Sequence, residues 1–193
     1  MGTIRRAFPM VTALVVLAAG VATGQAAPGP RAGFWGAFGL GAGGEAYDLR
    51  DGLGYSEQLY RPTFSLRAGG TVNQHVRLGG EMLSWINQNG DAIESLTSAM
   101  FVGQVYPFST SGLYLKGGAG LGRNAVDFPD GSGVGDTGFA GLLGAGLEMR
   151  VSRRWYLNPT VDLVEHHYSG RGVDNYRERL VTFGMSILYQ SGR

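Results

Sequence analysis

PTFSLRAGGTVNQHVRLGGEMLSWI, residues 62–86, is the stretch on which the reading of this chain turns. Before the break at Asn73-Gln74-His75, Phe64, Leu66, Ala68 and Val72 alternate with Thr63, Ser65, Arg67 and Thr71. After it, Val76, Leu78 and Met82 alternate with Arg77 and Glu81. A period of two marks a strand with one apolar and one polar face. A short polar break between two such runs marks a hairpin. A tight turn that keeps both apolar sets on one face puts Ala68 opposite Gly80, Arg67 opposite Glu81 and Thr71 opposite Arg77, because a slip of one residue would reverse every side chain.

Working outward, the same pattern recurs. Segments 33–43, 97–106, 113–123, 138–151, 155–166 and 179–189 join 62–72 and 76–86 to make eight. Leu113, Leu115, Ala119 and Leu121 alternate with Lys116 and several glycines. Phe139, Leu143, Ala145, Leu147 and Met149 face away from Glu148 and Arg150. Trp155, Leu157, Val161 and Leu163 face away from Asn158, Thr160 and Asp162. The fourth segment is ambiguous, since either of its faces is apolar enough to point outward. The connections alternate too. Residues 73–74, 107–111 and 152–154 make short turns, whereas 44–61, 87–96, 124–137 and 167–178 are longer, polar and rich in Gly and Asp.

The expected fold is therefore all-β: a closed, eight-stranded, antiparallel transmembrane β-barrel. Strands of this length suffice to cross a bilayer when tilted, and an even count brings both chain ends to the side of the short turns. A soluble eight-stranded barrel alternates in the same way with the opposite polarity. The polar face decides between them. It carries a few charges (Arg67, Arg77, Glu81, Lys116, Glu148, Arg150 and Asp162) spaced by Gly, Ser and Thr, whereas a water-facing surface is dense in Lys and Glu. An eight-stranded lumen is just wide enough to be filled by side chains. These charges are expected to pair across it and plug it. A polar ion path along them is the alternative. Phe34, Trp155, Tyr106 or Phe108, and Tyr189 at the turn-side ends, with Tyr60, Phe64 and Phe139 near the loops, suit two interfacial girdles.

Ahead of the barrel, Arg5 and Arg6 precede an apolar run from Val11 to Ala22, and Gly24-Gln25-Ala26 suits cleavage before Ala27. This reads as a signal peptide over 1–26, with the barrel over 27–193. Cys is absent, which excludes a lipidated cysteine and a disulfide framework. Loss of the leader lowers the sixteen basic residues to fourteen, against fifteen acidic. No basic stripe for nucleic acid results. The 34 glycines show no collagen period, and many fall inside strand runs, where they mark close approach or curvature.

The phrases GFWGAFGLGAG (33–43), VRLGGE (76–81), GLYLKGGAGLG (112–122) and GLLGAGLEMRVSRRWYLNPTVDL (141–163) resemble the small outer-membrane barrel families. These are the transmembrane domain of outer-membrane protein A and the outer membrane protein beta-barrel domain. The resemblance implies export through the periplasm, insertion by the barrel-assembly machinery, a place in the outer membrane of a Gram-negative envelope, and lipid and lipopolysaccharide as surroundings. No phosphate loop, zinc-ligand spacing or dinucleotide fingerprint is present, so no cofactor and no metal are expected. The last strand is followed by Gln190-Ser191-Gly192-Arg193 rather than ending on an aromatic residue, and no peptidoglycan-binding domain follows.

His166-His167-Tyr168-Ser169, with Glu178 further on, is similar to the His-x-Ser pattern of the outer-membrane lipid A deacylases. In those barrels a serine attacks, a histidine acts as base and a carboxylate orients it. The resemblance would cast Ser169, His167 and Glu178 in these roles. The asparagine expected after the serine is Gly170, and Glu178 has the parity of the lumen face. Asp127, Asp130 and Asp136 do not match a calcium-loop template and read as turn residues. Arg171, Arg177 and Arg179 are candidates for lipopolysaccharide phosphates or a solvated loop end. The leading expectation is a non-enzymatic barrel with a structural or surface-binding role carried by its outer loops. The hydrolase and a narrow channel stand as alternatives.

Overall fold

A computed structural model of the chain describes residues 29–48, 54–169 and 175–192. Eight long strands follow one another. They are β1 (Phe34–Asp48), β2 (Leu59–Asn73), β3 (Val76–Asn89), β4 (Ala92–Val105), β5 (Leu113–Asp127), β6 (Gly133–Leu147), β7 (Trp155–Tyr168) and β8 (Tyr176–Gln190). Met149–Arg150 extends β6 beyond a break at Glu148 and pairs with β7. Every neighbouring pair is antiparallel, β1 pairs with β8, and the sheet closes on itself. Closure satisfies the backbone polar groups inside the sheet, which a hydrocarbon surrounding demands. The leader read at 1–26 lies outside the described residues, as does Arg171.

The register of β2 on β3 pairs Ala68 with Gly80, Arg67 with Glu81 and Thr71 with Arg77, as the hairpin pattern predicts. Alternation then sorts each strand. Phe38, Leu40, Phe64, Leu66, Met82, Leu121, Leu143 and Ile187 point outward and are largely exposed, while Arg67, Arg77, Lys116 and Asp162 point inward and are buried. Phe34, Phe108 and Trp155 at the turn side, and Tyr60, Phe64 and Phe139 nearer the loops, are exposed aromatics in two bands. Tyr106 belongs to neither band, because its ring is wholly buried in the lumen.

All four long connections are shorter than expected, and two shrink to turns. Residues 87–96 are mostly strand: β3 and β4 meet at Gly90-Asp91, where Gly90 takes the left-handed conformation at φ 61° that a tight turn requires. Residues 124–137 shrink to the turn 128–132 between β5 and β6. Their polar composition signals strand emerging above the membrane rather than loss of the strand.

Candidate functional site

The inward faces of the eight strands stack in layers. At the turn side, Arg77 bonds Glu148 and Gln190, and its guanidinium also donates to the Tyr106 hydroxyl at 3.1 Å. One layer up, Arg67 donates to Ser186 Oγ at 2.6 Å and to the Tyr114 hydroxyl at 3.0 Å. Tyr114 in turn donates to Asn158 Oδ1 at 2.9 Å. At the middle of the barrel, Lys116 Nζ lies 2.7 Å from both Glu81 oxygens and 3.1 Å from Asp162 Oδ2. None of these charged groups exceeds 4% exposure. Buried charges are tolerated only when paired and hydrogen-bonded.

Glycine makes the space. A Cβ at Gly144 would overlap the Asp162 carboxylate, and one at Gly146 would overlap the Tyr114 hydroxyl. A Cβ at Gly122 would overlap the His166 ring. These glycines face the lumen opposite the largest polar side chains, so the Gly-rich strands and the charged strands are two halves of one packing solution.

Three features of the lumen were not anticipated from sequence. The first is Arg31, which enters from the turn-side end although it precedes β1. Its guanidinium donates to Gln74 O, Ser109 O and Ser111 O at 3.1, 3.4 and 2.5 Å. It stacks 3.7 Å over the Tyr106 ring and lies 3.6 Å from Glu148. Gln74 holds the Arg31 backbone from both sides, at 2.9 Å each. The 29–33 segment thus straps two of the short turns, 73–75 and 107–111, together. No periodicity marks a single arginine ahead of a strand. The second feature is apolar. Leu83, Trp85, Leu96, Met100, Leu142, Val164 and Leu180 point inward and fill the loop-side half. This explains why β4 shows no clear apolar face: Leu96, Met100 and Val102 point in while Phe101 and Val105 point out. The third is a Ser98–His166 hydrogen bond of 2.7 Å inside this apolar layer, between fully buried groups.

Of the charges expected in the lumen, Arg67, Arg77, Glu81, Lys116, Glu148 and Asp162 lie there, and Arg150 does not. Arg150 is exposed at the turn-side rim, where its Nε donates to Ser152 O at 3.2 Å. The strand break at Glu148 places the following residues below the last lumen layer. Lys116 on β5 and Glu148 at the break in neighbouring β6 lie at different heights. Leu113 pairs with Leu147, so Glu148 lies well below Lys116 and binds Arg31 and Arg77 instead. Arg67 and Glu81 are register partners, but Glu81 gives both oxygens to Lys116.

The deacylase-like residues are not brought together. His167 faces outward with its Nε2 3.9 Å from Glu165, and Ser169 is exposed just beyond β7. Glu178 faces the lumen, 3% exposed, and accepts from Asn124 at 2.5 Å. The barrel wall separates this carboxylate from His167. Parity accounts for it, since the odd residues of β7 face out and the even residues of β8 face in.

The loop-side rim carries a further cluster on the outer wall. Arg177 donates to Asp48 at 2.9 Å and lies 3.9 Å from Glu165. Arg179 lies 3.6 Å from Glu165 and stacks 4.1 Å over the Tyr55 ring. Tyr55 donates to Glu165 at 3.0 Å. Partial burial and that carboxylate push its hydroxyl above the usual phenol range. On the same face, a groove of about 300 Å³ runs between Phe139, Leu143, Leu163 and His167. Among the described residues no three His, Cys, Asp or Glu side chains converge as metal ligands.

A closed barrel of eight antiparallel strands, with apolar side chains outside and charged ones inside, defines the class of small outer-membrane β-barrels. The chain belongs to the outer membrane protein beta-barrel domain family, whose model matches residues 12–190, and its place is the outer membrane. Among solved structures it is similar to Neisserial surface protein A, with a TM-score of 0.64 and 15% identity, covering 82% of this chain and 97% of that one. It is also similar to Ail, the attachment invasion locus protein of Yersinia pestis, with a TM-score of 0.52 and 12% identity, covering 82% and 99%. Ail is also known in complex with the heparin analogue sucrose octasulfate. Identities this low establish the fold. No curated protein matches the chain in sequence.

Proposed function

We propose that this protein is a non-conducting, non-enzymatic barrel that supports the outer membrane and presents a binding rim to the outside. In this reading it is exported by a leader over 1–26, inserted by the barrel-assembly machinery and oriented with its short turns toward the periplasm. The observation that carries the proposal is the filling of the lumen. Ion-paired layers occupy the turn-side half, a mostly apolar layer that also holds Ser98, His166 and Glu178 occupies the loop-side half, and Arg31 sits beneath both. A hydrated ion would have to displace paired charge and then cross an apolar layer.

The binding role follows from what remains accessible. Function in such scaffolds concentrates on loops held by rigid strands. Tyr55, Glu165, His167, Arg177 and Arg179 make a mixed-sign, aromatic surface there. Ail is described with a sulfated heparin analogue. On this chain Arg177 and Arg179 are already paired with Asp48 and Glu165, which favours a polar protein ligand over a polyanion. Lipid A hydrolysis is disfavoured by the separation of Glu178 from His167.

Planar-bilayer recording of the purified protein tests the proposal. The expected trace stays at the baseline of the empty bilayer, and steady open-channel steps would refute it. Mass spectrometry of lipid A from cells with and without the protein tests the hydrolase. Unchanged acylation is expected, and loss of an acyl chain that Ser169→Ala restores would overturn the non-enzymatic reading.

A further inference from the structure

The turn-side rim holds a cavity of about 680 Å³ bordered by Arg150, Arg153, Arg154, Trp155, Tyr156 and Gln190. Three arginines border it and, among the described residues, no Asp or Glu does. The closest buried acid in the sequence, Glu148, is engaged with Arg31 and Arg77. The arginines are sparsely used. Arg150 spends its Nε on Ser152 O at 3.2 Å, and Arg154 makes a long contact of 3.4 Å to the Tyr189 hydroxyl. Arg153 has no side-chain partner among the described residues. Tyr156 is 2% exposed, and a Cβ placed on Gly29 would lie 3.5 Å from both its hydroxyl and the Arg150 guanidinium. That hydroxyl also has no hydrogen-bond partner among the described residues, so the site offers a neutral donor along with its cations.

Height in the membrane identifies the ligand. Trp155 is half exposed on the outer wall, and its ring packs 5.1 Å from Tyr189. Tryptophan and tyrosine pairs of this kind sit at the level of lipid headgroups. The cavity opens at the same end of β7 and β8. The planar fork of arginine matches the paired oxygens of a phosphate.

We propose that this cavity binds the phosphodiester headgroup of an anionic phospholipid in the leaflet facing the short turns. The inference rests on the orientation given above, in which those turns face the periplasm. It fixes the barrel's depth and rotation by a bound lipid rather than by girdle hydrophobicity alone.

The test is native mass spectrometry of the full chain in detergent, titrated with short-chain phosphatidylglycerol, phosphatidylcholine and inorganic phosphate. Phosphatidylglycerol adducts are expected, at least 10-fold weaker in R150Q/R153Q/R154Q and unchanged in R177Q/R179Q at the loop-side rim. Arg153→Gln alone provides a variant with no protein contact to lose, and a several-fold weakening is expected. Equal binding by wild type and the turn-side variants refutes the site. Equal retention of phosphatidylcholine reduces it to a general lipid annulus and refutes the charge argument. Displacement by equimolar inorganic phosphate assigns it to a free anion and refutes the lipid. Binding in detergent does not depend on orientation. Protease cleavage of the 107–111 turn on intact cells would instead refute the orientation and leave the site standing.

Discussion

Lys116→Met gives the sharpest test of how the lumen is held. Its ammonium is the shared partner of Glu81 and Asp162, at 2.7 and 3.1 Å, and all three residues are at most 4% exposed. Methionine keeps the length of the chain and removes the charge. Two carboxylates are then left in a dry layer with Arg67 as the nearest cation on the facing strand. Breaking a buried ion pair on one side costs about 3–5 kcal/mol. A Coulomb attraction of about 4 kcal/mol at 4 Å, for an effective dielectric of about 20, agrees with that range. Urea unfolding of the refolded protein in lipid vesicles, followed by tryptophan fluorescence, should show a loss of about 3–5 kcal/mol. The combined K116M/D162N variant should recover at least half of it, because Glu81 and Arg67 then remain as one anion and one cation on paired strands. A loss of less than about 1 kcal/mol, the value typical of an exposed pair, would show that water reaches this layer. The reasoning of a closed lumen would then fail.

Three further outcomes are expected. Gly144→Ala, whose new methyl meets the Asp162 carboxylate, should lower stability by about 1–3 kcal/mol in the same unfolding assay, whereas Gly70→Ala, with open space around it, should be close to neutral. Arg31→Ala releases the strap across the turns and should cost about 2–3 kcal/mol, since several of its bonds are charge-assisted; amide exchange in the 74–75 and 109–111 turns should rise, and unchanged exchange would remove the strap from the account. In the exposed 128–132 turn, the Ser132 hydroxyl and amide hold the Asp130 carboxyl below its ordinary 3.8. A group depressed on folding contributes above its unfolded pKa and loses that contribution as pH falls through the folded value, so the Ser132 amide resonance should keep its bonded shift at pH 5 and lose it only on acidification below about pH 4.

Sequence alone was enough to determine the barrel, its strand number and which face meets lipid. Period-two alternation is a local property, and in the 62–86 hairpin it sets the register as well, because one residue of slip would expose Arg67, Arg77 and Glu81 to hydrocarbon. The inward direction of six charged residues was legible for the same reason. Their partners were not. Lys116 reaches Glu81 two strands away and Asp162 on the other side, and Glu148 turns to Arg77 and Arg31. Contacts across a lumen depend on side-chain length, strand stagger and the space that Gly144 and Gly146 leave, none of which has a period along the chain. Arg150 keeps the parity of a lumen residue and still lies outside, because the break at Glu148 ends the barrel before it. The apolar loop-side layer hid in β4, where both faces are hydrophobic and alternation carries no signal. Arg31, the Ser98–His166 pair and the arginine-lined rim cavity each join residues from distant strands or from outside any strand. Only closing the sheet brings them together.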